Sequence, residues 1–192
     1  MSIADAAKEV RTPTADAKLV HRRPALIQEL EWVHRESFSS NSVNTDPVTQ
    51  GLLYFYNGEL FRIIVSYDRH KIEGMTAEDM IEGISATYGL ASRPTAEIAF
   101  HSNYADVAKV LARWEDSGYS YNLVRTGDQS SFAMVLYSKR LDVLAQAAIV
   151  EAVRLDKREA PEREIEKQKN QAEAERLVRE KARSANKPNF RP

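Results

Sequence analysis

The chain has 192 residues, 27 basic and 28 acidic side chains, a net charge of -1 and no cysteine. That length supports a buried core in one domain or in two small packed halves, and the charge balance gives no bulk electrostatic case for nucleic acid or an anionic membrane. Without a thiol there is no disulfide, cysteine nucleophile or Cys-type zinc site, and no stretch approaches the ~20 apolar residues of a membrane-spanning helix.

Met1 to Val10 has neither the basic n-region nor the apolar h-region of a signal peptide, so none is expected in the chain as given. Ser2 instead predicts a capped short helix, because Ile3, Ala6, Ala7 and Val10 recur on one helical face. After a loop at Thr12-Pro13-Thr14, Pro24 interrupts the stretch from Lys18 to Val33. Leu26, Gln28, Leu30 and Trp32 then alternate with Ile27, Glu29, Glu31 and Val33, which predicts a strand from Ala25. Ser37 to Gln50, rich in Ser and Asn, reads as a surface loop.

Asn57-Gly58 between two apolar runs predicts a type I′ hairpin. A regular register sets Tyr54 against Phe61 and Leu52 against Ile63, so one side carries Leu52, Tyr54, Tyr56, Phe61, Ile63, Val65 and Tyr67 and should be core. The other side carries Leu53, Phe55, Leu60 and Ile64 with Arg62 and Ser66. It is the candidate protein-contact face, the alternative being that the loop 37–50 or the N-terminal helix covers it and makes it core. Thr76, with Asp79 in the capping-box position, starts a helix through Met80, Ile81, Ile84 and Tyr88 that Gly89 ends.

Beyond the connector at Arg93-Pro94, with its short apolar run Ile98-Ala99-Phe100, Val107 to Glu115, Tyr119 to Thr126 and Ser131 to Lys139 read as a three-stranded meander with turns at 116–118 and 127–129. Leu141, Leu144, Ala145, Ala148, Ile149, Ala152 and Leu155 then make a helical packing stripe. A break or kink is expected near Glu159-Ala160-Pro161, followed by a charged, solvated helix to Arg183 and a basic tail ending at Pro192. The expectation is an α+β fold: an antiparallel sheet from two helix-plus-three-strand halves, about 1–74 and 75–160, with a charged helical tail over 161–192.

Several runs carry a resemblance: Arg23 to Trp32, Phe55 to Arg62, Gly74 to Ile81, Arg113-Trp114-Glu115-Asp116, and Glu159 to Glu164. Together they resemble an exported-type bacterial protein family of unknown function. That resemblance implies an envelope or periplasmic location, although the leader such proteins carry is not in this chain. The fold resembles beta-lactamase inhibitor protein and the small lipoprotein of the outer-membrane barrel assembly machinery, which implies binding of another protein through a sheet face.

The chemistry-bearing residues are sparse. His21, His34, His70 and His101 lack the i, i+4 pairing of a zinc helix, so no metal and no cofactor is expected. Asp68-Arg69-His70 reads as a polar turn. Trp114, flanked by Arg113, Glu115 and Asp116, is either an exposed recognition indole or an inward-packed one. No phosphate loop or nucleophile elbow occurs, so no catalytic residue is assigned. The basic end from Arg176 to Arg191 reads as solubilising or partner-docking, with no nucleic acid expected. The function read from the sequence is thus a non-catalytic protein-binding module, or homodimer, using Leu53, Phe55, Leu60, Arg62, Ile64 and Trp114. The alternative is a small-molecule binder or hydrolase using a cleft between the halves.

Overall fold

Asn57 and Gly58 have φ of 50° and 81°, the pair of positive values a type I′ turn demands, and β3 (Val48–Tyr56) folds back on β4 (Glu59–Tyr67) around them. The computed structural model describes residues 1–33, 47–99, 107–126 and 131–189. The chain divides into two units, Met1–Val150 and Glu151–Pro192. The expected loop over 37–50 up to Asp46, the turn at 127–129, Phe100, and His34 and His101 lie outside the described residues.

The first unit holds one antiparallel sheet of eight strands in the order β1-β2-β3-β4-β8-β7-β6-β5. Its members besides the hairpin are β1 (Lys18–His21), β2 (Ile27–Val33), β5 (Glu97–Ala99), β6 (Val107–Glu115), β7 (Tyr119–Thr126) and β8 (Ser131–Ser138). Helix α1 (Ile3–Glu9) precedes the first four strands, and α2 (Ala77–Tyr88) precedes the last four. Both begin with a complete capping box, Ser2 with Asp5 and Thr76 with Asp79. The two halves are as expected from the sequence, except that each carries a fourth, short strand at its sheet edge.

The regular hairpin register fails beyond Leu60. Phe61 is the extra residue of a bulge, so Tyr54 pairs with Arg62, Leu52 with Ile64 and Leu53 with Ile63. From Arg62 onward the inward and outward positions are therefore exchanged relative to the sequence reading. Ile64 and Arg62 join Tyr54 on one sheet face, whereas Ile63 and Val65 join Leu53 and Phe55 on the other.

Helix α3 (Lys139–Asn186) follows β8 directly, and its first three turns belong to the sheet-bearing unit. There Leu141, Ala145 and Ile149 pack on Ile27, Tyr54, Ile64, Val124 and Val135. Leu144, expected in this stripe, is 43% exposed, because the burying arc runs through positions 141, 145, 148 and 149. Pro161 lies inside α3, so of the expected break or kink the break does not occur. The ring costs one backbone bond and a steric clash, which the many helix-forming residues around it outweigh.

Beneath α3 the sheet curls strongly. Arg62 Nη1 donates to the carbonyl of Ala99 at 2.8 Å, although four strand spacings of a flat sheet separate β4 from β5 by about 19 Å.

Candidate functional site

One cross-strand row on the outer face defines the site. Reading across six strands, Leu30, Leu53, Ile63, Leu136, Tyr121 and Trp114 are successive register partners. Side chains in such a row stand side by side on one surface. At the β2–β3 end, α1 covers the row: Ala6 and Ala7 are buried against Leu30, Leu53 and Phe55. At the β6 end, α2 covers it: Met80 and Ile81 pack on Trp114, Leu123 and Met134. Between them the cover is partial, reaching Tyr121 only through Tyr88 at the end of α2, and Ile63, Leu136 and Tyr121 are half buried.

That partly covered middle forms a shallow groove of about 190 Å³, walled by Leu60 on β4 and by Tyr119 and Tyr121 on β7. Tyr119 is 55% exposed, and Tyr88 at the end of α2 lies against Tyr121 with ring centroids 4.9 Å apart. Burial, then the nearby Asp116 carboxylate, hold the Tyr121 phenol above its ordinary range. The charged rim of the groove is paired off. Lys139 Nζ lies 2.9 Å from Glu115 and donates to the Asp116 carbonyl at 2.7 Å, and Arg140 lies 4.0 Å from Glu59. The Asp116 carboxylate accepts from the backbone N–H groups of Tyr119 and Gly118, which holds its pKa below the usual range and fixes the turn that presents Tyr119.

This is not the surface expected from the sequence. Of the six residues assigned to it, Leu53 and Phe55 are core beneath α1, and Arg62 and Ile64 point to the opposite face beneath α3. Trp114 is buried beneath α2, its indole N–H shared between the Gly89 carbonyl at 3.0 Å and Ser85 Oγ at 3.2 Å. Of the six, Leu60 and Arg62 border the groove, and of these two only Leu60 is not buried. The correction has two physical causes, the bulge at Phe61 and the coverage by α1, the second being the alternative already open in the sequence. Ile63, Tyr88, Tyr119, Tyr121 and Leu136 were missed. The signal available for them was the alternation Tyr119, Tyr121, Leu123, which marks one face of β7 without saying where cover stops.

The buried polar groups on the inner face fasten the start of α3 to the sheet. Arg62, 2% exposed, sets Nη2 and Nε 2.6 and 3.0 Å from Asp142 Oδ1, and Gln146 donates to Asp142 Oδ2 at 2.6 Å. Burial pushes the Asp142 carboxyl above its ordinary range against the pull of Arg62. Asn122 beside them donates to the Val135 carbonyl and to Ser120 Oγ, and accepts from Arg113 Nε. Each of Arg62, Asp142 and Asn122 thus has hydrogen-bond partners within the fold. Asp68, Arg69 and His70 form a polar turn in which Asp68 Oδ1 accepts the His70 backbone N–H at 2.8 Å. Among the described residues no group of three metal-ligating side chains occurs.

Comparison with protein-family models, with curated proteins and with solved structures found no match for the chain.

Proposed function

We propose that this chain is a non-catalytic protein-binding module whose contact surface is the tyrosine-rich strip between α1 and α2. The observation that carries the reading is the cross-strand row, sealed at both ends by a helix and open in the middle at Ile63, Leu136 and Tyr121. Tyrosines supply large contact area at small entropic cost and keep a hydroxyl for the wet rim, which is why interfaces concentrate them. The size of the groove supports a protein partner. At about 190 Å³ it is smaller than the roughly 300–1,000 Å³ that ligand pockets occupy, and it is shallow.

A photo-crosslinking amino acid placed at Tyr119 tests this, with Glu82 on the outward side of α2 as the control position. The expected result is one discrete adduct from position 119, none from position 82, and loss of the adduct when Tyr88→Lys is added. No adduct at 119, or equal smears from both positions, overturns the reading. Sedimentation equilibrium of the same variants separates a second copy of the chain from a different partner.

A further inference from the structure

The unit Glu151–Pro192 contains most of α3, and its side chains over 161–188 are all exposed. Charge is unevenly placed along it. From Arg176 to Lys187 there are five bases, Arg176, Arg179, Lys181, Arg183 and Lys187, against one acid, Glu180. Arg176, Arg179 and Arg183 are spaced three and four apart and share one stripe, which Lys187 continues directly after the helix. The surface pair of Arg179 with Glu175 at 3.6 Å neutralises little in water. Leu177 and Val178, on the other side of the helix with Ala174 and Ala185, are 56% and 68% exposed. Lys181 lies between them on a stem long enough to lift its ammonium clear of an apolar layer.

A base-rich stripe backed by exposed aliphatic side chains fits one surface on both counts: anionic headgroups complement the bases, and the acyl boundary takes up Leu177 and Val178. A nucleic-acid backbone offers the aliphatic side nothing, and no aromatic side chain stands on this segment among the described residues to stack on bases. We propose that the last turns of α3, residues 174–187, dock peripherally on an anionic lipid surface. The docking is interfacial, since no described helix is long and apolar enough to cross a membrane. It stands independently of the tyrosine strip.

The test is co-sedimentation of the full chain with vesicles of phosphatidylglycerol and phosphatidylcholine in equal parts, against vesicles of phosphatidylcholine alone. Binding to the anionic vesicles only is expected, falling as salt is raised. R176Q/R179Q/R183Q/K187Q should weaken it by at least about a hundredfold, since each base near such a surface carries roughly a fivefold factor. R176K/R179K/R183K should retain it, and L177S/V178S should weaken it by about tenfold with the charge untouched. Circular dichroism confirms that the variants keep their helix. Failure to sediment, or equal sedimentation with neutral vesicles, overturns the proposal. So does duplex DNA that displaces the vesicles and is bound equally well by L177S/V178S, which would make the segment a general polyanion site.

Discussion

The two halves of the unit Met1–Val150 arrange their strands alike and cover the outer sheet face differently. The first half uses a helix of 7 residues whose buried side chains are alanines, and the sheet beneath supplies the bulk as Leu30, Leu53 and Phe55. The second half uses a helix of 12 residues that brings Met80 and Ile81 onto Trp114, Leu123, Phe132 and Met134, so bulky side chains stand on both sides of that interface. Backbone anchoring differs as well. α1 is tied to the hairpin, Met1 accepting the Leu60 N–H and Gly58 accepting the Ile3 N–H, whereas α2 is pinned at its far end by the Trp114 indole. The inner face breaks the likeness altogether, because a single helix covers both halves and reaches into the first through Asp142 and Arg62.

The largest expected effect lies on that shared inner face. Ile149→Asp should cost more than about 4 kcal/mol by burying an unpaired carboxylate, whereas Leu144→Asp, on the exposed side of the same turn, should stay within roughly 1 kcal/mol. Urea unfolding distinguishes the two, and equal losses would mean that both sides of the helix are buried. Next, Asp142→Leu should cost about 3–5 kcal/mol because it strands a buried guanidinium, and adding Arg62→Met should recover most of the loss. A double mutant no better than the single one would show that the pair is not the coupling between helix and first half.

The outer face gives the intermediate effects, and they should have opposite causes. Met80→Ala should lose about 2–5 kcal/mol through a cavity, while Ala6→Leu should lose about 1–3 kcal/mol through overpacking. If Ala6→Leu is neutral, α1 does not sit closely on its strands and the contrast between the halves collapses. The smallest effect is electrostatic. The Asp5 carboxylate is held below its ordinary range by Ser2, side chain first, and Asp79 by Thr76, backbone first. The unfolded chain therefore binds their protons first as pH falls. Their stabilisation is present above the ordinary pKa of 3.8 and is lost as pH drops through the lower folded values. Melting curves between neutral pH and pH 2 should show that loss reduced in Asp79→Asn, and an identical acid limb would sink the assignment.

Local signals were legible in the sequence, and long-range ones were not. The type I′ turn, both capping boxes and the helix-then-strands order follow from residues within a few positions of each other. The bulge at Phe61 left no trace, because Phe61, Ile63 and Ile64 are apolar and either register buries a plausible set. The edge strands β1 and β5, of 4 and 3 residues, are too short for a periodic pattern to declare itself. The site failed for the same reason as the register. Trp114 is surrounded by charges in sequence yet buried in space, and which part of a sheet a helix leaves bare depends on helix length and placement.

The join between β4 and β8 has a consequence for how the chain reaches this state. Every other strand pairing links consecutive strands, while Ile64 meets Val135 from about 70 residues away, so loop-closure entropy must be overcome before that ladder contributes anything. The β2–β3–β4 and β6–β7–β8 meanders can each form on local contacts, and β4 and β8 then wait with open edges. Each edge is complementary to the other one on any copy of the chain. At high concentration during refolding the same ladder can therefore close between molecules, giving a domain-swapped dimer that dilution from denaturant avoids.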